Sequence, residues 1–168
     1  MNRQKVFTFC INSCGTLLTG TGFFQWTNIG ILIIFIQIIP MVSEISEGIG
    51  VSIETFYQPD YSNPLQSEYM FAYRITIENQ NHFPVKLHRR HWNIFDSNGS
   101  YREVEGEGVV GVQPVLNPGE QYQYVSGCNL RTEMGKMFGT YRMENLNNKK
   151  TFEVKIPPFE MMVPFKNN

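Results

Sequence analysis

From Ile49 to Ile156 the chain alternates apolar and polar positions with a period of two, in short runs broken by turn-forming residues. That is the pattern of half-buried strands. Val51, Ile53, Thr55 and Tyr57 share one face of the first run, and the turn-rich residues 58–64 follow it. The next run sets Phe71, Tyr73, Ile75 and Ile77 against Arg74, Thr76 and Glu78. Asn79-Gln80-Asn81-His82 then turns the chain into a third strand over 85–96, and a fourth lies near 101–107. Three more are predicted over 121–126, 136–144 and 151–156, with Met137, Gly139, Tyr141 and Met143 on one face and Phe152, Val154 and Ile156 on another. No window carries apolar residues at helical spacing over a useful length. Seven short strands, each with one apolar face, predict an all-β fold of two antiparallel sheets packed face to face.

The turn around Asn98-Gly99 decides which residues meet. A two-residue Asn-Gly loop puts Trp92 opposite Glu105 and Ile94 opposite Glu103, mixing charge with apolar side chains on one face. A three-residue loop, Ser97-Asn98-Gly99 with Gly99 left-handed, shifts the pairing by one. Trp92 then faces Val104 and Phe95 faces Tyr101, while His91 meets Glu105 and Arg89 meets Glu107 on the other face. The second register separates the two chemistries and is the one expected, because a one-residue slip inverts every side chain. It makes Trp92 a core residue and Glu105 and Glu107 ion-pair partners.

Residues 1–40 differ from everything after them. They hold Arg3 and Lys5, no acidic residue, and the apolar run at 29–39 that ends at Pro40. A membrane anchor needs about 20 apolar residues, which this segment reaches only by including Gln25, Thr27, Asn28 and Gln37. A secretory signal has the basic start and apolar stretch, but small residues at a cleavage point are missing. The third reading takes Met41 as the true start and residues 1–40 as a mis-assigned leader, and it is the one expected here. The organisation expected is therefore a leader at 1–40 and one domain at 41–168, with membrane association only if the leader is genuine. Of 14 basic residues, losing Arg3 and Lys5 leaves 12 against 15 acidic, a net charge of −3 for the domain. Nothing in this balance suggests a protein that grips nucleic acid through its phosphates. Cys128 is the lone thiol beyond the leader, which fits a reducing compartment such as the cytoplasm.

Two stretches carry candidate chemistry. Gly106-Glu107-Gly108-Val109-Val110-Gly111 is a formal G-x-G-x-x-G, but a dinucleotide site needs a helix next, and Val112-Gln113-Pro114 follows instead. What remains is a bulged sandwich connection or a ligand-contacting loop whose exposed amides form an anion nest. Lys86, His88, Arg89, Arg90 and His91 supply charge on the third strand, split by alternation into two stripes, with His88 and His91 on opposite faces. Pairing with Glu103, Glu105 and Glu107 across the hairpin accounts for most of it. Gly106, Gly108, Gly111, Arg89, Arg90 and His91 together are the candidate binding region. No catalytic set, metal-ligand spacing or cofactor motif is found: Cys128 has no activating histidine in view, since all three histidines lie between 82 and 91.

Taken together, these segments resemble the ApaG family. The matching stretches are Phe83-Pro84-Val85-Lys86-Leu87-His88-Arg89-Arg90-His91-Trp92, then Gly106 through Leu116, Asn117-Pro118-Gly119-Glu120, Tyr124-Val125-Ser126-Gly127-Cys128, Met137 through Met143 and Ile156-Pro157-Pro158-Phe159. The resemblance spans about Met41 to Phe159 and finds no counterpart for the first 40 residues. It implies an immunoglobulin or fibronectin type III-like sandwich. It also implies a family without an established reaction, loosely linked in bacteria to cobalt and magnesium resistance and in eukaryotes to protein interaction. The expected function is a non-catalytic, cytoplasmic module that binds an unidentified protein partner. The alternative is a role bound to a small anion, a phosphate-containing ligand or nucleotide, or a divalent cation.

Overall fold

The computed structural model describes residues 41–164, so the leader assigned to 1–40 lies outside the described residues. Among the described residues the chain forms nine strands: β1 (Met41–Ser46), β2 (Ile49–Tyr57), β3 (Tyr69–Asn79), β4 (Val85–Asp96), β5 (Tyr101–Glu107), β6 (Val115–Leu116), β7 (Gln121–Leu130), β8 (Met134–Asn145) and β9 (Thr151–Met162). One antiparallel sheet runs β1-β2-β3-β7; the other runs β5-β4-β8-β9, with β6 continuing along the β4 edge. The fold is an all-β sandwich, and the seven predicted strands are β2–β5 and β7–β9.

The two additional strands have short-range causes. β1 pairs with β2 around Glu47 and Gly48, whose φ angles of 53° and 70° make a two-residue turn of the hairpin type, with Ser46 opposite Ile49. Glutamate rarely occupies such a turn, and β1 is an edge strand with alternate positions exposed, so its pattern is faint. β6 is only two residues long and pairs with Val85 and Lys86.

Each predicted apolar face points inward. Ile49, Val51, Ile53, Phe71, Tyr73, Ile75 and Ile77 of one sheet meet Val85, Leu87, Met137, Tyr141, Met143 and Val154 of the other, all buried. Trp92 is 2% exposed and stands edge-on to Tyr73, Tyr141 and Phe159, with ring centroids 5.8, 6.3 and 5.9 Å away. Edge-on packing brings the positive ring edge to the negative ring face, which adds to the area buried. The hydroxyls of Tyr124 and Tyr141 lie 2.5 Å apart in the core, so each satisfies the other across the two sheets. Burial pushes the Tyr73 hydroxyl up to about 12 and raises Tyr141 and Tyr124 as well.

The β4–β5 register is the expected one. Trp92 faces Val104, Phe95 faces Tyr101, His91 faces Glu105 and Arg89 faces Glu107, with Gly99 left-handed at φ 87°. The ion pairs nevertheless run diagonally. Arg89 Nε lies 3.4 Å from Glu105, and His91 Nε2 lies 3.1 Å from Glu103. Diagonal neighbours remain within reach of long side chains, and these two use that reach in preference to the residue directly opposite.

Candidate functional site on the outer face of the larger sheet

A bulge in β4 decides where the basic cluster points. The ladder between β4 and β8 pairs Leu87 with Met143 and then Arg89 with Arg142, leaving His88 as the extra residue. Before the bulge the odd positions Val85 and Leu87 are buried; after it the even positions Trp92, Ile94 and Asp96 are. His88 and His91 therefore both lie on the outer face, contrary to the simple alternation, because an inserted residue resets the period. His88 is 2.6 Å from Glu144, which is held below the usual carboxylate range by that contact and by Lys149. Glu103 is likewise held low, by the Tyr101 hydroxyl and then by His91.

Beyond the bulge regular alternation resumes and separates the six candidate binding residues. Arg90 falls on the inward side, where its charge acts on the buried Tyr73, Tyr124 and Tyr141 hydroxyls. Its Nη1 donates to the carbonyls of Glu107 at 3.0 Å and Gly108 at 2.8 Å. A Cβ on Gly106, the ladder partner of Arg90, would lie 3.1 Å from that nitrogen, so a side chain there would crowd the guanidinium. Arg89 and His91 face outward, away from this loop.

The glycine loop is knitted to its own backbone. Val109 and Val112 exchange two hydrogen bonds of 2.8 and 3.0 Å around Val110 and Gly111, which have φ angles of 49° and 78°. Positive φ at both central residues makes a mirror-image hairpin turn, and Val110, being β-branched, is strained there. Gly108 (φ 55°) donates its amide to the His88 carbonyl at 2.8 Å, and Gln113 Nε2 donates to the same oxygen at 3.1 Å, which ties the loop to the bulge. Val109 is fully buried. The amides of Gly108, Val109 and Val112 are thus engaged within the protein, and the loop offers carbonyls to an arginine.

The outer face of β5-β4-β8-β9 collects the side chains available to a partner. At one end Phe95 packs against Tyr101 at 4.7 Å and stacks on Phe138 at 5.7 Å, with the Lys136 ammonium 5.5 Å over the Phe95 ring. Phe95 also borders a groove of about 210 Å³ lined by Met134, Lys136, Met161 and Met162. At the other end Arg89 and Arg142 stand directly opposite each other in the ladder. Sequence reading missed the aromatic cluster and Arg142 because Phe138 and Arg142 come from β8, and only the β4–β8 pairing sets them beside Phe95 and Arg89.

Cys128 is buried, and burial pushes its thiol up, with Arg102 partly opposing the shift. Arg102 Nη2 lies 3.3 Å from the sulfur and also donates to the Asn129 carbonyl, joining β5 to β7 across the flank of the sandwich. A thiol held protonated is a poor nucleophile. Among the described residues no three histidine, cysteine, aspartate or glutamate side chains are placed to hold a metal ion, and no helix is long and apolar enough to cross a membrane.

The architecture and its sites define an immunoglobulin-type β-sandwich whose buried tryptophan sits on a central strand, with a glycine loop closing one flank. Residues 59–145 match the model of the ApaG domain. Protein ApaG of Brucella anthropi is 47% identical over 124 residues, covering 74% of this chain and 95% of that protein, and Protein ApaG of Brucella canis is 46% identical over the same length. The crystal structure of the putative ApaA protein from Bordetella pertussis superposes with a TM-score of 0.68 at 42% identity, covering 70% of this chain and 95% of that one. The chain belongs to the ApaG family.

Proposed function

We propose that this ApaG domain is a non-catalytic protein-interaction module whose contact surface is the outer face of the five-stranded sheet. The observation that carries the reading is the set of side chains gathered there: a packed aromatic cluster (Tyr101, Phe95, Phe138) on the same face as two arginines (Arg89, Arg142). Aromatic residues and arginine are the types that concentrate binding energy at protein interfaces. Tyr101 is 47% exposed, and exposed Met134 and Met162 border the adjoining groove, where flexible thioethers adapt to an incoming apolar side chain. The buried free thiol of Cys128 accords with a cytoplasmic location.

A phosphate-bearing ligand at Gly106–Gly111 has less support, since the amides of Gly108 and Val109 in that loop, and of Val112 just after it, are bonded internally. The test is affinity capture with the wild-type chain and a Tyr101→Ser, Phe138→Ser double variant, followed by binding of the purified captured protein to both. Loss of that binding with the fold intact is the expected result. Equal binding by both would rule this face out as the contact surface.

A further inference from the structure

We infer that the cleft between Arg89 and Arg142 is a carboxylate-binding site, which accepts an aspartate or glutamate side chain from the protein that docks on this face. Two like charges directly opposite each other on neighbouring strands are unfavourable in the free domain, and the ladder places these two arginines so. Their own carboxylates satisfy them poorly. Arg89 Nε is 3.4 Å from Glu105 without making a hydrogen bond, and that nitrogen is buried with no hydrogen-bond partner at all. Arg142 Nη2 is 3.7 Å from Glu153, beyond hydrogen-bond length. Both pairs are exposed to solvent, with Arg142 at 57% and Glu105 at 59% side-chain exposure, so each contributes little and is readily exchanged.

Arg89 and Arg142 line one concavity with Arg90, His91 and Thr140, and its free volume is about 30 Å³. That admits the oxygens of a carboxylate, to which an arginine fork donates two parallel hydrogen bonds. Glu105 and Glu153 line the same concavity and disfavour a phosphate, which puts up to two charges on one centre, more strongly than a carboxylate group, which puts one there even in a dicarboxylate such as glutarate, because Coulomb repulsion scales with charge.

The source of the carboxylate rests on the interaction reading above, whereas the site itself is testable with free acids. The experiment records the Nε–Hε resonances of the full chain's arginines against sodium glutarate, sodium phosphate and sodium chloride at constant ionic strength. Glutarate is expected to shift Arg89 and Arg142 along a saturable curve, with the other arginines unmoved. Arg142→Gln is expected to weaken that curve about tenfold, the effect of losing one charge-assisted partner, without lowering the melting temperature, because the like-charge pair is gone. Should Arg142→Gln fold poorly, Arg89→Gln followed at Arg142 serves the same comparison. A shift common to all arginines and matched by chloride, tighter binding of phosphate than of glutarate, or an unchanged curve in Arg142→Gln would each overturn the site. If glutarate binds while the Tyr101→Ser, Phe138→Ser variant keeps its partner, the site stands and the docking face falls; the reverse pattern removes the site alone.

Discussion

Alanine substitutions at Gly108 and Gly111 separate a structural loop from a ligand loop. Both glycines have positive φ, 55° and 78°, so alanine at either is expected to cost about 1 kcal/mol for the left-handed conformation alone. Their surroundings differ. A Cβ at Gly111 has no neighbour within 4 Å, whereas a Cβ at Gly108 would lie 2.1 Å from the carbonyl oxygen of Val112. Relieving that overlap requires the oxygen to move by an ångström or more, which breaks the Val109–Val112 hydrogen bond and disturbs the buried Val109. The lost bond is worth about 1 kcal/mol and the forced repacking roughly 1–3 kcal/mol, giving a total of about 3–5 kcal/mol for Gly108→Ala. At roughly 4 °C per kcal/mol for a domain of this size, Gly111→Ala loses about 4 °C and Gly108→Ala roughly 12–20 °C. Urea unfolding followed by circular dichroism, with a thermal scan beside it, measures both. Glutarate binding by the folded fraction of each variant is expected to stay at the wild-type value, since Arg89 and Arg142 lie on the other side of β4. Equal losses at the two glycines, or a Gly108→Ala protein as stable as wild type, would refute the loop packing.

Other outcomes follow from the core and the ion pairs. Tyr141→Phe leaves the Tyr124 hydroxyl buried without its 2.5 Å partner and is expected to cost about 1–3 kcal/mol, whereas the Tyr124→Phe, Tyr141→Phe double variant recovers most of that loss. A double-mutant cycle by chemical denaturation checks it, and additive single costs would contradict the pairing. Glu144 is held low by His88 and Lys149. A carboxylate with a depressed folded value stabilises above the ordinary carboxylate range, about pH 4.3, and loses that contribution as pH falls through its folded value. Stability is therefore expected to decline on acidification below about pH 5, and less steeply in Glu144→Gln; identical acid limbs would exclude the contact. Arg90→Met keeps the aliphatic stem but removes both hydrogen bonds to the glycine-loop carbonyls, an expected loss of about 1.5–3 kcal/mol by the same denaturation assay.

Much of the fold is legible in local patterning. Alternation locates seven strands, and segregation of charge from apolar residues selects the three-residue loop at Ser97-Asn98-Gly99 and puts Trp92 in the core, in agreement with the β4–β5 ladder. The features that patterning misses have physical reasons. The bulge at His88 inserts one residue into an otherwise regular alternation, and nothing in Lys86-Leu87-His88-Arg89-Arg90-His91 marks where the period resets. His88 therefore reads as sharing the face of Arg90, which turns inward to the glycine loop, although it lies outward with Arg89 and His91. The G-x-G-x-x-G suggests free amides, yet hydrogen bonds from Gly108 to His88 and between Val109 and Val112 depend on tertiary contact and a strained valine, neither legible in the spacing. Diagonal ion pairs escape because register fixes which residues are opposite and not which rotamers meet. Phe138 and Arg142 become candidates only once β8 is set beside β4.

Whether the outer face of β5-β4-β8-β9 receives a protein partner is decided by site-specific photo-crosslinking inside cells that produce the protein. The photoreactive residue is placed in turn at Tyr101, at Phe138 and, on the opposite sheet, at the exposed Gln123. The same discrete crosslinked partner is expected from Tyr101 and Phe138, none from Gln123, and the product is expected to disappear when Arg89→Gln and Arg142→Gln are combined with either probe. Crosslinks from Gln123 alone, or none from the two aromatic positions, would contradict docking on this face.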